Sequence, residues 1–486
     1  MPNRRIALHA MGASSASLWA AAWAVPLTAC HSSPTKDAGM LHASPSTTPA
    51  HVAPNMSPTD LNATIDAAFE FAFPLYEMSR TRFNALDNPA NPMRGQVNAV
   101  GHRRVLADHR SRTVTTPNND TLYSSAWLDL SAGPVRIDVA AMPKGRYWSV
   151  ALMDFYTNHI AVLGSRLDGA GPVQATLVSR QWSGPRPAGR VIEVAGLDVW
   201  LLGRWLVDGP HDLAAARAMQ DGLRIEPSAL APQTTRAVPR SASDAQNLLA
   251  VVNEALQRNP VPAHEGALVE RYCSAGVQAS RQSGSTDAWA LLAEPTRAAW
   301  RERMPALHAA LQSGIARGSR EMHGWRLPPP AIGNFGGDHA LRAAVALGGL
   351  AALEPAEALY LSRQVDGQGA PLDGAQRYRI RVPAGGVPCE AFWSLSVYER
   401  LPDGRLFYAD NPIQRYAIGD RTAGLQRAAD GSFDIWLQRE APTDAAARAH
   451  WLPAPAGPLQ LTLRAYVPKP ELLQGRAVLP RIERLA

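Results

Sequence analysis

The stretch Tyr147-Trp148-Ser149-Val150-Ala151-Leu152-Met153-Asp154 decides the fold, because it returns as Phe392-Trp393-Ser394-Leu395-Ser396-Val397-Tyr398-Glu399. Short runs rich in aromatic and aliphatic residues, bounded by Gly, Pro and Asp, read as strands. The first copy is preceded by Leu122-Tyr123 and a strand-like Val135 to Val139, the second by Leu359-Tyr360 and Arg377 to Val382. Tyr and Trp are 25 residues apart in the first copy and 33 in the second, a difference that the loop Asp366 to Gly374 absorbs. Duplication of one β unit explains the pattern; chance likeness of strands is the competing explanation.

Outward from these copies the pattern stays strand-like from about Val100 to Trp205 and again from Tyr360 to the end. Between them the spacing turns helical: His211 to Leu223, Asp244 to Gln257 with Leu248, Leu249, Val252 and Leu256 on one face, Ala288 to about Arg317, and Asp338 to Leu350. A further helix starts at Ser57-Pro58, a cap followed by proline at the first turn, and Pro74 is expected to end or kink it. The fold class expected is α+β, mainly β, with two jelly-roll-like β domains separated by a helical insert. The expected boundaries are 58–210 for the helix and first β domain, 211–350 for the insert and 351–486 for the second β domain.

The first residues give an address rather than a fold. Arg4-Arg5, an Ala-rich apolar run and Leu27-Thr28-Ala29-Cys30 form a lipoprotein signal over 1–29, so Cys30 is expected to become a lipidated N-terminus. A plain signal peptide cut nearby and a membrane helix are the alternatives; Trp, His9 and Pro26 count against a span. The paired arginines leave open a twin-arginine export route. Residues 30–57 are Ser, Thr, Pro, Ala and His with little that is large and apolar, a disordered tether. The expected location is therefore the cell envelope: exported, and lipid-anchored in the outer membrane facing the periplasm, which His31 after the cysteine allows.

Removal of 29 of 486 residues leaves 457, enough for two or three domains. The net charge of +6 falls to +4 without Arg4 and Arg5, and no long basic run remains, so nucleic acid is not an expected partner. Only Lys36, Lys144 and Lys469 are lysines, which argues against Schiff-base and Ser-x-x-Lys chemistry. Beyond Cys30 only Cys273 and Cys389 remain, a possible disulfide in an oxidising compartment or two separate thiols, and a cysteine zinc site is excluded by count.

Pro117-Asn118-Asn119-Asp120-Thr121-Leu122-Tyr123, Gly133-Pro134 and Arg146-Tyr147 through Asp154-Phe155-Tyr156-Thr157-Asn158 resemble the domain-of-unknown-function family numbered 1254. Phe392 through Tyr398, Asn411-Pro412, Arg415-Tyr416, Asp430-Gly431-Ser432, Trp451 through Pro455 and Arg464-Ala465-Tyr466 resemble the family numbered 1214. The resemblance covers most of the chain beyond the signal. It implies two jelly-roll-like β domains with helices between them and no settled activity. Glu399 stands where the resemblance leads us to expect aspartate.

Two polar groups are candidates for chemistry. Asn118, Asn119 and Asp120, just before Tyr123, could offer oxygens to a hard cation or to sugar hydroxyls, or could simply form an Asx turn. Asp154, Tyr156 and Asn158 alternate, so in a strand all three share a face and could line a binding cavity. Arg204, Arg342 and Arg415 lie in apolar or aromatic surroundings and could clamp an anion or pair with Asp120, Asp154 or Asp338. His102 and His109 are too sparse for a metal motif, His264-Glu265 lacks a second histidine, and no hydrolase elbow, phosphate loop or dinucleotide turn occurs. The expectation is an envelope lipoprotein that binds or processes a small polar or anionic molecule, such as a glycan or ester, in a β-domain cavity. A structural or assembly protein of the envelope is the alternative. Catalytic residues, cofactor, reaction and oligomeric state are unknown from sequence, and no metal site is expected.

Overall fold

The computed structural model describes residues 56–230, 237–278, 287–314, 316 and 318–485; the signal, Cys30 and nearly all of the tether lie outside them. Helix and sheet are mixed, with strands slightly in excess. The first β domain holds β1 (Gly101–Arg103), β2 (Thr121–Asp129), β3 (Val135–Val139), β4 (Trp148–Met153), β5 (His159–Gly164), β6 (Val173–Ser179), β7 (Val191–Val194), β8 (Asp198–Leu206) and β9 (Leu223–Pro227). They form a five-stranded sheet, β1-β2-β8-β4-β5, over a four-stranded one, β7-β6-β3-β9. Alternation sends Leu122, Trp148, Val150, Leu201 and Trp205 inward against Val135, Ile137, Ala175 and Leu177, so the space between the sheets is apolar.

The second β domain repeats this plan. Its strands are β12 (Ala358–Arg363), β13 (Tyr378–Val382), β14 (Cys389–Arg400), β15 (Leu406–Phe407), β16 (Ala417–Gly419), β17 (Phe433–Gln438), β18 (Trp451–Pro453), β19 (Leu459–Pro468) and β20 (Arg481–Arg484), joined by the preceding hairpin β10 (Arg320–Met322) and β11 (Trp325–Leu327). The large sheet runs β10-β11-β12-β19-β14-β15, with β16 also on β14, and the small one β18-β17-β13-β20. The small sheets correspond strand for strand, each with a parallel outer pair, β6–β7 and β17–β18. The equivalent residues Gly164 and Gly419 share one requirement: a Cβ would stand 2.7 Å from the Trp148 carbonyl oxygen and 2.2 Å from that of Trp393. The faint repeat in the sequence is thus a repeat of topology.

Four long helices form a layer on the first domain. Helix Pro58–Leu86 packs on Ala245–Arg258, Glu294–Gly314 and His339–Gly348, and its buried face meets Trp127, Phe155 and Tyr156. Ser57 caps it, accepting from the Asp60 amide at 3.2 Å. Pro74 does not end this helix. A helix-interior proline costs about 3 kcal/mol, whereas burying Phe69, Phe71 and Phe73 stabilises by about 1.5–3 kcal/mol each, so packing prevails. The region expected as a helical insert also supplies strands: β9 completes the first domain's small sheet, and β10 and β11 extend the second domain's large one.

Candidate ligand site between the domains

The two large sheets face one another through the sides turned away from their own cores. Register places Tyr123, Arg204, Ser149 and Gly164 in one row across β2, β8, β4 and β5, and Tyr360, Arg464, Ser394 and Gly419 in the matching row across β12, β19, β14 and β16. Each domain therefore presents a Tyr–Arg–Ser–Gly row. An apolar seam of Tyr147, Ala151, Val162 and Leu206 from one side and Leu353, Ala358, Phe392 and Tyr466 from the other holds the faces together. Phe392 stacks on Tyr466 with ring centroids 4.1 Å apart.

Asn118 organises the polar part. Its side-chain oxygen accepts from the Asp120 amide at 2.8 Å, the Asx turn that the sequence allows, while its amide donates to the Tyr123 hydroxyl at 3.2 Å and the Tyr466 hydroxyl at 2.8 Å. Asn119 points elsewhere, donating to the Ala107 carbonyl. The oxygens of Asn118, Asn119 and Asp120 therefore do not converge on one point. Across the interface, Ser394 donates to Asp120 Oδ2 at 2.6 Å. Burial holds the Asp120 carboxyl above its ordinary range, opposed by the Arg464 charge and the Ser394 hydrogen bond. Burial also raises the phenols of Tyr147, Tyr360 and Tyr466, so all three remain neutral donors.

The two equivalent arginines differ. Arg464 has partners on both terminal nitrogens: it donates to Ser396 Oγ at 2.8 Å, the Tyr398 hydroxyl at 2.6 Å, and the Thr116 and Pro117 carbonyls at 3.2 and 3.3 Å. Arg204, only 5% exposed, donates from Nη2 to the Ala351 carbonyl at 2.7 Å and lies over the Tyr123 ring at 5.6 Å. Its Nη1 is buried without a hydrogen-bond partner, and no carboxylate pairs with Arg204 among the described residues. Asp120, Tyr123 and Tyr360 are half-buried, while Asn118, Arg204, Ser394 and Arg464 around them are buried.

Asp154, Tyr156 and Asn158 belong to a different place. They do not alternate along a strand: β4 stops at Met153, and the Asp154 carboxylate accepts from the backbone amides of Tyr156 and Asn158, both at 2.9 Å, with Thr157 at a positive φ of 66°. A carboxylate that collects the amides two and four residues on makes a turn, which overrides alternation. The Tyr156 hydroxyl donates to the Asn259 carbonyl, and Asn158 accepts from the Phe335 amide. Arg342 faces Tyr156 there, 3.6 Å from Glu265, whose other oxygen is 3.6 Å from His339. Arg415 belongs to neither group: it donates to the Ala449 and Trp451 carbonyls beside a surface hollow of about 480 Å³. None of Arg204, Arg342 and Arg415 forms an ion pair with Asp120, Asp154 or Asp338. Cys273 and Cys389 are both free thiols, the first exposed and the second half-buried. Glu399 bonds Arg112 across the domains.

Of the sequence candidates, the interface between the two large sheets gathers Asn118, Asp120, Tyr123 and Arg204. It adds Tyr147, Glu357, Tyr360, Ser394, Arg464 and Tyr466, which the sequence reading missed. Their signal was present in the repeat: carrying Tyr123, Ser149 and Arg204 across to the second copy finds Tyr360, Ser394 and Arg464. Among the described residues no group of three or more His, Cys, Asp or Glu could hold a metal ion, and no helix is long and apolar enough to cross a membrane.

Residues 97–227 match a family described as protein of unknown function (DUF1254), and residues 357–470 match a second, protein of unknown function (DUF1214). No curated protein matches. The fold is similar to the crystal structure of a Vibrio parahaemolyticus protein, with TM-score 0.66 and 22% identity over 88% of this chain and 100% of that one. A putative uncharacterised protein from Burkholderia cenocepacia aligns over 88% of this chain and 96% of that one, at TM-score 0.40 and 15% identity.

Proposed function

We propose that this chain, in which a DUF1254 match is followed by a DUF1214 match, binds a small organic anion between its β domains, beside Arg204. The observation that carries the reading is Arg204, a buried guanidinium with one nitrogen unpartnered and no counter-charge. A charge taken out of water is costly unless paired, and a bound carboxylate would offset that cost while accepting from Nη1. Arg464 and Arg421, whose charges act on Asp120, make the surroundings cationic. The hydroxyls of Tyr123 and Tyr360 can add hydrogen bonds that do not depend on ligand charge. Both sandwich interiors are apolar, so the ligand belongs between the domains rather than inside either. We read each domain as a jelly-roll derivative carrying one parallel strand pair.

Titration calorimetry of the purified chain with hexanoate, and the same titration of Arg204→Met, tests this. Saturable binding lost in the variant is expected; binding that survives the substitution refutes the assignment to Arg204. We further propose that the protein is exported and held at the envelope through lipid on Cys30. Cys30→Ser should then release it from membranes or leave an uncleaved precursor, and a processed variant that still fractionates with the outer membrane would disprove the anchor.

A further inference from the structure

The register that equates the two rows extends to their neighbours: Asp120 corresponds to Glu357, Tyr147 to Phe392, and Arg166, two residues past Gly164, to Arg421, two past Gly419. Tyr147 and Phe392 touch each other, with centroids 5.6 Å apart. Equivalent residues in mutual contact mark the axis of a two-fold interface, here internal to one chain. Each half should then place a carboxylate against the other domain's serine strand and arginine, and the two halves can be compared as copies of one site.

The Glu357 half is complete. Oε1 accepts from the Tyr147 hydroxyl at 2.9 Å, that hydroxyl lies 3.0 Å from Ser149 Oγ, and Oε2 accepts from Arg166 at 2.6 Å. No surface of Glu357 reaches water. The Asp120 half lacks two of these donors. Phe392 has no hydroxyl where Tyr147 has one, and Arg421 turns to Asp208 at 3.0 Å and covers the Phe392 ring at 4.6 Å. Among the described residues only Ser394 bonds the Asp120 carboxylate, on Oδ2, and Oδ1 accepts no hydrogen bond.

We infer that the ligand carries a hydroxyl group that donates to Asp120, taking the place that the Tyr147 hydroxyl fills on Glu357, and is therefore a hydroxy acid. The same comparison applied to Arg204 and Arg464 shows acceptors missing on Arg204, so the two half-empty groups ask for one donor and one anionic acceptor. A hydroxyl suits Asp120 better than an ammonium because Arg464 and Arg421 already bring positive charge to that carboxylate. This rests on the anion reading above and deepens it.

Gluconate and hexanoate, six-carbon monocarboxylates with and without hydroxyls, separate the two readings by titration calorimetry of the full chain. A hydrogen bond to a charged group should make gluconate bind about 10- to 100-fold tighter. Asp120→Asn and, independently, Phe392→Tyr should bring gluconate to the hexanoate level, the first by weakening the acceptor and the second by supplying the missing protein hydroxyl. Phe392→Tyr adds only one oxygen at the domain seam and guards against an Asp120 variant that fails to fold. Equal binding of both acids, each lost in Arg204→Met, overturns the hydroxyl inference and leaves the anion site standing. A gluconate preference that survives both variants also overturns it. If neither acid binds, both readings fall.

Discussion

Arg204→Met and Arg464→Met, the same change at equivalent positions, should move stability by very different amounts. Arg464 makes four kinds of hydrogen bond, to Ser396, Tyr398, Thr116 and Pro117, and faces Asp120. Its removal leaves buried acceptors unmet and an uncompensated carboxylate, a loss of about 3–5 kcal/mol. Arg204 makes one hydrogen bond, to the Ala351 carbonyl, and buries an unpartnered nitrogen. Losing that bond costs about 1.5–3 kcal/mol, while removing the unpartnered nitrogen and the buried charge returns about 1–3 kcal/mol or more. The net is near zero, within about 1 kcal/mol, or stabilising. At about 2–4 °C per kcal/mol, the Arg464 variant should melt about 6–20 °C below the wild type and the Arg204 variant within a few degrees of it. Thermal unfolding followed by circular dichroism reads both. Equal falls in melting temperature would show that Arg204 is as much a part of the frame as Arg464, and the argument for a ligand counter-charge would be lost.

His159, with both ring nitrogens buried and unpartnered, has its pKa pushed down to about 3 by burial and by the Arg204 charge. The unfolded chain takes up that proton near pH 6.5 and the folded chain does not, so stability is lost as pH falls below 6.5, at about 1 kcal/mol per pH unit down to about 3. His159→Gln should flatten this acid limb in melts between pH 4 and 7; an unchanged slope contradicts the assignment. Gly419→Ala should cost about 2 kcal/mol or more, because the new Cβ meets the Trp393 carbonyl, a backbone atom that cannot turn aside. A chemical-denaturation midpoint equal to the wild type's would show that β16 shifts freely. Mass spectrometry after alkylation of the unreduced native protein should find Cys273 and Cys389 both modified once the chain is opened in denaturant; a cross-linked peptide containing the two would refute their description as free thiols.

The chain of residues from Tyr147 to Met153, and its echo from Phe392 to Tyr398, was enough to determine two β domains, since strand alternation is a local property written in consecutive side chains. Helix Ala245–Arg258 was legible for the same reason, its Leu and Val spacing being a local period. What escaped local reading was set by competition. Asp154 looked like one member of an alternating strand, and the bonds it makes to its own backbone turned it into a loop. Pro74 looked like a helix end or kink, and the surrounding aromatic core carried the helix on past it. Asn118, Asp120, Tyr123 and Arg204 were recognisable as unusual, but nothing along the chain says that Arg204 lacks a counter-charge while Arg464 has partners on both terminal nitrogens. Hydrogen-bond saturation depends on groups hundreds of positions away, such as Ala351 for one arginine and Pro117 for the other. The sequence by itself determined which side chains each domain presents; only the tertiary structure, by setting one duplicated face against the other, decided which of them were left with a bond unmade.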